Sequence, residues 1–328
     1  MFILQWHITH ACNLRCVHCY QKDYRSHMPA SELFAALDRF DEFLREKNLP
    51  GQINLTGGEP LAHPSFFTLA QAIKDRGYRL GVLTNGTLID DECAGRLAAL
   101  KPVFVQVSLD GTEKIHDAVR GEGSFRQALS GIDALKKHGV KVLVSFTAQK
   151  GNYRDFGPLA RVCRRHRVDK LWWDRVVTDT PEDTACLALT TEQFRYLVHL
   201  SGRLRRFCRL PGGKRFVSTS RALQALDCPK EPQYECSAGK NLLIFLADGG
   251  IMPCRRLPFV IGNVKDGKLS ETIAKSETMK ILAVNRVPHE CARCEHVRYC
   301  RGGSKCVTYA QTGELLRRDV NCFYCKNS

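Results

Sequence analysis

The chain has 328 residues, 44% apolar, 25% charged and 9% aromatic, with a formal net charge of +15. That composition excludes a disordered tail and describes a folded protein of one large domain or two unequal ones. No run approaches the about 20 consecutive apolar residues of a membrane-spanning helix. Met1–His10 also lacks the basic leader and cleavage site of an export signal, so a cytoplasmic protein is expected. The excess of Lys and Arg favours anionic partners.

In chain order the segments alternate between strand and helix. Phe2–Thr9 is a strand candidate that runs directly into Cys12-Asn-Leu-Arg-Cys16-Val-His-Cys19. Ser31–Lys47 carries Leu33, Phe34, Leu37, Phe40, Phe43 and Leu44 at helical spacing, behind a Ser N-cap. Strands over Gln52–Thr56, Arg79–Thr84, Val103–Ser108, Lys141–Thr147 and Lys170–Val177 follow. Between them fall helices over Ser65–Arg76, Asp90–Leu100, Phe125–His138 and Phe156–Arg165. Val103–Ser108 is almost continuously apolar, as a parallel strand covered on both faces requires. Six such repeats predict an α/β fold with a parallel sheet rolled into a partial (β/α)6 TIM-like barrel. Reactive groups in such folds sit on loops at the carboxyl ends of the strands. The cysteine loop, Thr56-Gly57-Gly58-Glu59-Pro60, Thr84-Asn85-Gly86-Thr87 and Ser108-Leu109-Asp110-Gly111 all fall there.

Sixteen cysteines in a chain with its own core and no export signal point to metal ligation over a disulfide scaffold. Cys93, Cys163, Cys186 and Cys208 stand alone and read as ordinary thiols. Three thiolates on one short loop can hold three irons of a 4Fe–4S cube, leaving the fourth iron open. A Cys3His zinc site, with His7, His10 or His18 as the fourth ligand, competes with that reading. Towards the carboxyl end the pattern is Cys228-x7-Cys236-x17-Cys254, then Cys291-x2-Cys294-x5-Cys300-x5-Cys306, then Cys322-x2-Cys325. Leu242–Leu246 and the residues after Asp248-Gly249 predict a β-hairpin between Cys236 and Cys254. For Cys291–Cys300 a zinc knuckle is the alternative.

The C-x3-C-x2-C loop resembles that of the radical S-adenosylmethionine enzymes. The resemblance implies that Cys12, Cys16 and Cys19 hold a 4Fe–4S cluster whose open iron is chelated by S-adenosylmethionine. Reductive cleavage of that cofactor then gives a 5′-deoxyadenosyl radical, which abstracts a substrate hydrogen. Thr56, Gly57, Gly58 and Glu59 match the family motif whose backbone acceptors meet the methionine amino group. Ser108 and Arg120 match residues at the methionine carboxylate, Asp110 shares their motif, and Tyr20 matches the position nearest the adenine. Asn85, at the third strand end, completes the expected cofactor-binding set.

The remainder resembles the SPASM extension, which implies two auxiliary 4Fe–4S clusters. Cys291, Cys294, Cys300 and Cys322 would hold one. Cys228, Cys236, Cys254 and Cys306 would hold the other, nearer the barrel. Arg301–Lys305 puts five residues before Cys306 where the family usually has three, and Cys325 competes with Cys322. The expected domains are a barrel over 1–215 and a SPASM domain over 216–328.

Members with this extension mostly modify peptides or proteins. The resemblance therefore implies a peptide or protein substrate, oxidatively modified or crosslinked in ribosomal peptide maturation, and an external electron donor of flavodoxin or ferredoxin type. With the first strand at Phe2, no fused leader-binding domain is expected, and a separate leader-peptide-binding protein is the implied partner. The alternative is a small-molecule enzyme of the same type, such as a tetrapyrrole side-chain decarboxylase or an aminocyclitol dehydrogenase. Arg255-Arg256 stands where sulfatase-maturing members carry an Asp, which counts against that activity. Asp174 and Arg175, at the sixth strand end, are candidate substrate contacts. No nucleic-acid-binding motif accompanies the basic charge, so nucleic acid is not an expected partner.

Overall fold

The computed structural model describes residues 1–328 apart from 22, 25, 26, 179, 209–214, 228–233, 285 and 325–328. Six parallel strands lie side by side in chain order: β1 (Phe2–His7), β2 (Gly51–Thr56), β3 (Arg79–Thr84), β4 (Phe104–Ser108), β5 (Val142–Ala148) and β6 (Lys170–Arg175). Helices α1 (Ala30–Lys47), α2 (Phe66–Asp75) and α3 (Asp91–Ala99) fill the first three crossovers. The fourth holds two, α4 (Glu113–Arg120) and α5 (Ser124–Lys137), and the fifth holds α6 (Phe156–Arg165). After β6 come α7 (Pro181–Leu187) and α8 (Thr191–Phe207). Because the strands are parallel, their carboxyl ends share one rim, as the expected α/β architecture requires.

Two sequence expectations are corrected here. Ser31 does not cap α1; the helix starts one residue earlier behind Pro29, whose fixed φ suits that position without a side-chain bond. Nor is β4 covered on both faces. Val105 and Val107 are buried under the helices, but Phe104, Gln106 and Ser108 are only half-buried. The same alternation runs through β5 and β6, where Ser145, Thr147, Trp172 and Asp174 face the concave side and Val144, Phe146, Leu171 and Trp173 pack outward. The concave face is thus a part-open polar surface, and the core lies between sheet and helices.

The cysteine-rich part does not stand apart from this sheet. Strand β7 (Leu242–Phe245) pairs parallel with β1, from Ile3 opposite Leu242 to Trp6 opposite Phe245. Strands β8 (Gly250–Met252) and β9 (Gly262–Asn263) then add antiparallel, making a sheet of nine strands among the described residues. The hairpin anticipated between Cys236 and Cys254 is β7–β8. Helices α9 (Leu269–Lys275), α10 (Glu277–Ala283), α11 (Val297–Cys300) and α12 (Lys305–Thr312) complete the chain. At the other edge of the barrel sheet, Val217 bridges to Leu171 of β6, just beyond the boundary anticipated at residue 215.

A buried ion pair closes the arrangement. Arg175, at the end of β6, meets Asp319 with two parallel bonds of 2.6 and 2.8 Å, and a third bond of 2.9 Å reaches Asn321. Asp319 also accepts from Ser304 N at 2.7 Å, so one carboxylate ties the barrel to the loops around Cys300, Cys306 and Cys322. Arg175 is therefore a structural clamp, and its expectation as a substrate contact is withdrawn. Among the described residues no helix is long and apolar enough to cross a membrane.

Removing one partner of such a pair leaves an uncompensated buried charge, at a cost of about 3–5 kcal/mol. Arg175→Met is expected to lower the anaerobic urea midpoint accordingly, and Arg175→Met/Asp319→Leu to recover part of the loss. Equal midpoints for wild type and Arg175→Met would show that the clamp contributes nothing.

Candidate active site

The rim at the carboxyl ends of β1–β4 gathers most of the residues singled out in the sequence. The loop after β2 lies flat on the cysteine loop after β1. Gly58 N donates to Thr9 O and Glu59 N to Ala11 O, both at 2.8 Å. A Cβ on Gly58 would sit 2.2 Å from Ala11 O, and one on Gly57 2.4 Å from Thr9 O, so the close approach demands glycine twice. With these N–H groups committed, what the loop can still offer a ligand is carbonyl oxygen. Thr56 is buried beneath it at the end of β2.

Glu59 is fully buried and works as a strut. Its carboxylate accepts from Thr84 Oγ1 at 2.7 Å, Asn85 N at 2.8 Å and Leu61 N at 3.2 Å. Burial pushes its pKa up to about 7, against the pull of those three donors. Its contribution at the rim is the backbone, while its side chain joins the β2 loop to the β3 loop. Asn85 in turn donates to Asn13 Oδ1 at 2.9 Å, and its Nδ2 lies 3.9 Å from Cys12 Sγ.

Asp110 lies beneath this rim. It is fully buried, with Oδ1 accepting from Thr147 N at 2.7 Å and Oδ2 from Arg120 Nε at 2.6 Å. Burial alone would raise its pKa, but Arg120, His18 and the Thr147 N–H outweigh it and hold the carboxyl below its ordinary range. Asp110 therefore fixes Arg120, whose Nη1 reaches to 3.7 Å from Cys16 Sγ. Ser108 remains on the concave face, 3.4 Å from Ser145 Oγ.

The donor set around the three thiols suits an iron–sulfur cluster. Backbone N–H groups of Leu14 and Gln21 point at Cys12 Sγ and Cys19 Sγ, each at 3.4 Å, and Arg120 and Asn85 approach Cys16 and Cys12. Donors aimed at sulfur favour the thiolate, the form that binds iron. Burial, with Cys12 and Cys19 close by, pushes the free Cys16 thiol up to about 11, which a bound cationic metal would offset. His18 turns away towards Asp110, 3.6 Å off, and burial lowers its pKa to about 4. Among the described residues no three His, Cys, Asp or Glu side chains are grouped closely enough to hold a single metal ion.

Two further thiol groups form in the carboxyl-terminal part. Cys291, Cys294, Cys300 and Cys322 line one small pocket, closed by Leu223 and Leu226. Cys236, Cys254 and Cys306 gather around a separate apolar cluster of Ala238, Leu257 and Leu282. Burial, then Cys306 and Cys236, pushes Cys254 up to about 12. Cys228 and Cys325 lie outside the described residues. Cys163 is a buried core thiol and Cys186 an exposed one, in keeping with their reading as isolated residues.

Tyr20, after Cys19, is covered by the Arg255 guanidinium at 3.9 Å from its ring centre. This contact sets the Cys254 loop against the first cysteine loop. Sequence reasoning missed a polar chain on the concave face: Trp172 Nε1 donates to Gln106 Oε1 at 3.1 Å, and Gln106 Nε2 to Ser145 Oγ at 3.3 Å. The signal was available as period-two polar residues in β4 and β5.

Comparison with known proteins agrees with this geometry. The model of the radical SAM superfamily matches residues 6–158, and that of the SPASM iron–sulfur cluster-binding domain matches residues 236–295. The mycofactocin maturase MftC of Mycobacterium ulcerans is 30% identical over 337 residues, covering 97% of this chain and 87% of the relative. The chain belongs to the radical SAM superfamily and carries a SPASM domain. The AdoMet-dependent heme synthase of Methanosarcina barkeri is 27% identical over 344 residues, covering 98% of this radical SAM enzyme and 96% of its relative. A solved structure of anSMEcpe with bound AdoMet and the Cp18Cys peptide shares the fold, with a TM-score of 0.80, 21% identity, and coverage of 98% and 93% of the two chains.

Glu59→Ala strands two buried donors and one half-buried donor, and an unsatisfied buried donor costs about 1–3 kcal/mol. We expect a lowered urea midpoint for Glu59→Ala and a smaller drop for Glu59→Gln; unchanged midpoints would refute the strut.

Proposed function

We propose that this radical SAM enzyme modifies a peptide oxidatively during ribosomal peptide maturation. The observation that carries the reading is the identity to a mycofactocin maturase across nearly the whole chain; the contact of Arg255 with Tyr20 adds that the Cys254 thiol group lies beside the first cysteine loop. In this reading Cys12, Cys16 and Cys19 hold a 4Fe–4S cluster. Cys291, Cys294, Cys300 and Cys322 hold a second, and Cys236, Cys254 and Cys306, with Cys228, hold a third. When bound, these groups and S-adenosylmethionine supply one-electron reduction, hydrogen-atom abstraction from the substrate and a sink for the electron an oxidised product must lose.

The chain's own residues hold and orient. The carbonyls of the Gly57–Glu59 loop would hold the methionine amino group of the cofactor. Arg120, kept charged and immobile by Asp110, and Ser108 serve its carboxylate, while Asn85 and Tyr20 border the nucleoside. The substrate lies on the concave face, along Gln106, Ser145 and Trp172, and its partners are a separate leader-binding protein and a flavodoxin- or ferredoxin-type donor. Support for a peptide comes from the 30% identity to a mycofactocin maturase across nearly the whole chain. A tetrapyrrole reading draws on the heme synthase relative, which is matched over 96% of its length.

The two are separated by supplying reconstituted enzyme and S-adenosylmethionine with either a precursor peptide encoded beside the gene or iron coproporphyrin III. Peptide maturation predicts 5′-deoxyadenosine in step with a mass loss of hydrogen or of a small fragment from the peptide. Turnover of the porphyrin alone would transfer the assignment to tetrapyrroles.

A further inference from the structure

Three arginines crowd the junction of β6 and the Cys254 loop, and two have their charges met. Arg175 is paired with Asp319. Arg256 meets Asp174 Oδ2 at 2.6 Å and the Arg175 carbonyl, also at 2.6 Å. Arg255 is different. Among the described residues it forms no ion pair, and its one aromatic contact there is the face of Tyr20. Its Nε, like that of Arg175, is buried without a hydrogen-bond partner, but Arg175 has Asp319 beside it and Arg255 has no carboxylate partner among the described residues.

An unmet buried donor costs about 1–3 kcal/mol, and a charge-assisted bond to an anion removes that cost. Stacking on Tyr20 holds the guanidinium plane still, so little side-chain freedom is left to lose on binding. His7 is a further neighbour, its ring 6.3 Å from Tyr20 in an edge contact. Burial and the Arg255 charge push the His7 pKa well down, so it stays neutral and adds no second cation. The residue sits between the cysteine loop that would generate the radical and the thiol group of Cys254. A group held there is at the reacting end of the substrate, not at a distant docking surface.

We infer that Arg255 anchors a carboxylate of the substrate between the Cys12–Cys19 loop and the Cys254 loop. The inference rests on the proposed radical chemistry and adds the chemical group that the substrate must present. A carboxylate is the shared chemistry of a peptide terminus or acidic side chain and of a tetrapyrrole propionate. Arg255 would thus select for acids over their neutral derivatives and orient the carbon beside the carboxylate towards the radical.

The test is phenylglyoxal labelling of Arg255 in the reconstituted holoenzyme, read by peptide mass spectrometry with S-adenosylmethionine present throughout. The probes are N-acetylglycylglycine and its carboxamide, and iron coproporphyrin III and its tetra-amide. The anchor predicts that an acid slows labelling of Arg255 about tenfold, the equivalent of about 1.4 kcal/mol, while its amide does not. Exposed Arg45 should label equally in every arm. Protection by the dipeptide acid points to a peptide carboxylate; protection by the porphyrin acid alone points to a propionate. Equal rates with acid and amide would overturn the anchor, as would complete protection by S-adenosylmethionine alone, which would give the guanidinium to the cofactor. Formation of 5′-deoxyadenosine in the same samples reports the radical chemistry separately, so either idea can fail without the other.

Discussion

The bidentate pair of Arg175 and Asp319 decides how the two halves of the molecule work together. Both side chains are out of water: the two terminal nitrogens of Arg175 meet Asp319 and Asn321, backbone donors of Ser304 and Asn321 take further lone pairs of the carboxylate, and Arg175 Nε is left without a partner. Asp319 belongs to the loop that leads to Cys322 and also gathers the turn between Cys300 and Cys306. A single carboxylate therefore fixes loops from both carboxyl-terminal thiol groups against the end of β6. With β7 laid along β1, the cysteine-rich part is anchored at both edges of the barrel sheet. Distances between the three thiol groups are then properties of the fold, as transfer of single electrons requires.

Polar residues at the rim divide into two kinds by burial. Glu59 and Asp110 carry charge-bearing groups into the interior and spend every oxygen on neighbours, so their work is to hold other residues. Ser108, Gln106, Ser145 and Trp172 remain part-exposed along the concave face and are the ones able to meet a ligand. A motif letter alone does not separate these roles. Arg120 lies between the kinds: its Nε is taken by Asp110, while its Nη1 reaches towards Cys16.

Much of the fold was legible in the sequence because strand and helix periodicities differ and short crossovers allow few topologies. Arg79–Thr84 and Phe156–Arg165 were read to the residue. The short helix Glu113–Arg120 was missed because about two turns offer too few apolar positions to establish a period. Thr191–Phe207 was also overlooked, although its stripe of Phe194, Leu197 and Val198 stands at helical spacing. Burial of Asp110 could not be read either, since it depends on Thr147 and Arg120 arriving from other elements. Cysteine spacing, by contrast, was informative, because ligands on one loop are near in space whatever the rest of the chain does. The convergence of Cys322 on Cys291 and Cys300, across a gap of more than twenty residues, came from resemblance and not from spacing.

The central claim is that three separate thiol groups each serve an iron–sulfur cluster. Anaerobic iron, acid-labile sulfide and zinc analysis of the reconstituted protein, beside its Cys12→Ala/Cys16→Ala/Cys19→Ala variant, tests it most directly. Three four-iron clusters predict about twelve irons falling to about eight, with matching sulfide and little zinc. About four irons falling to none, accompanied by one or two zincs, would contradict the account and make the carboxyl-terminal cysteines a structural zinc module.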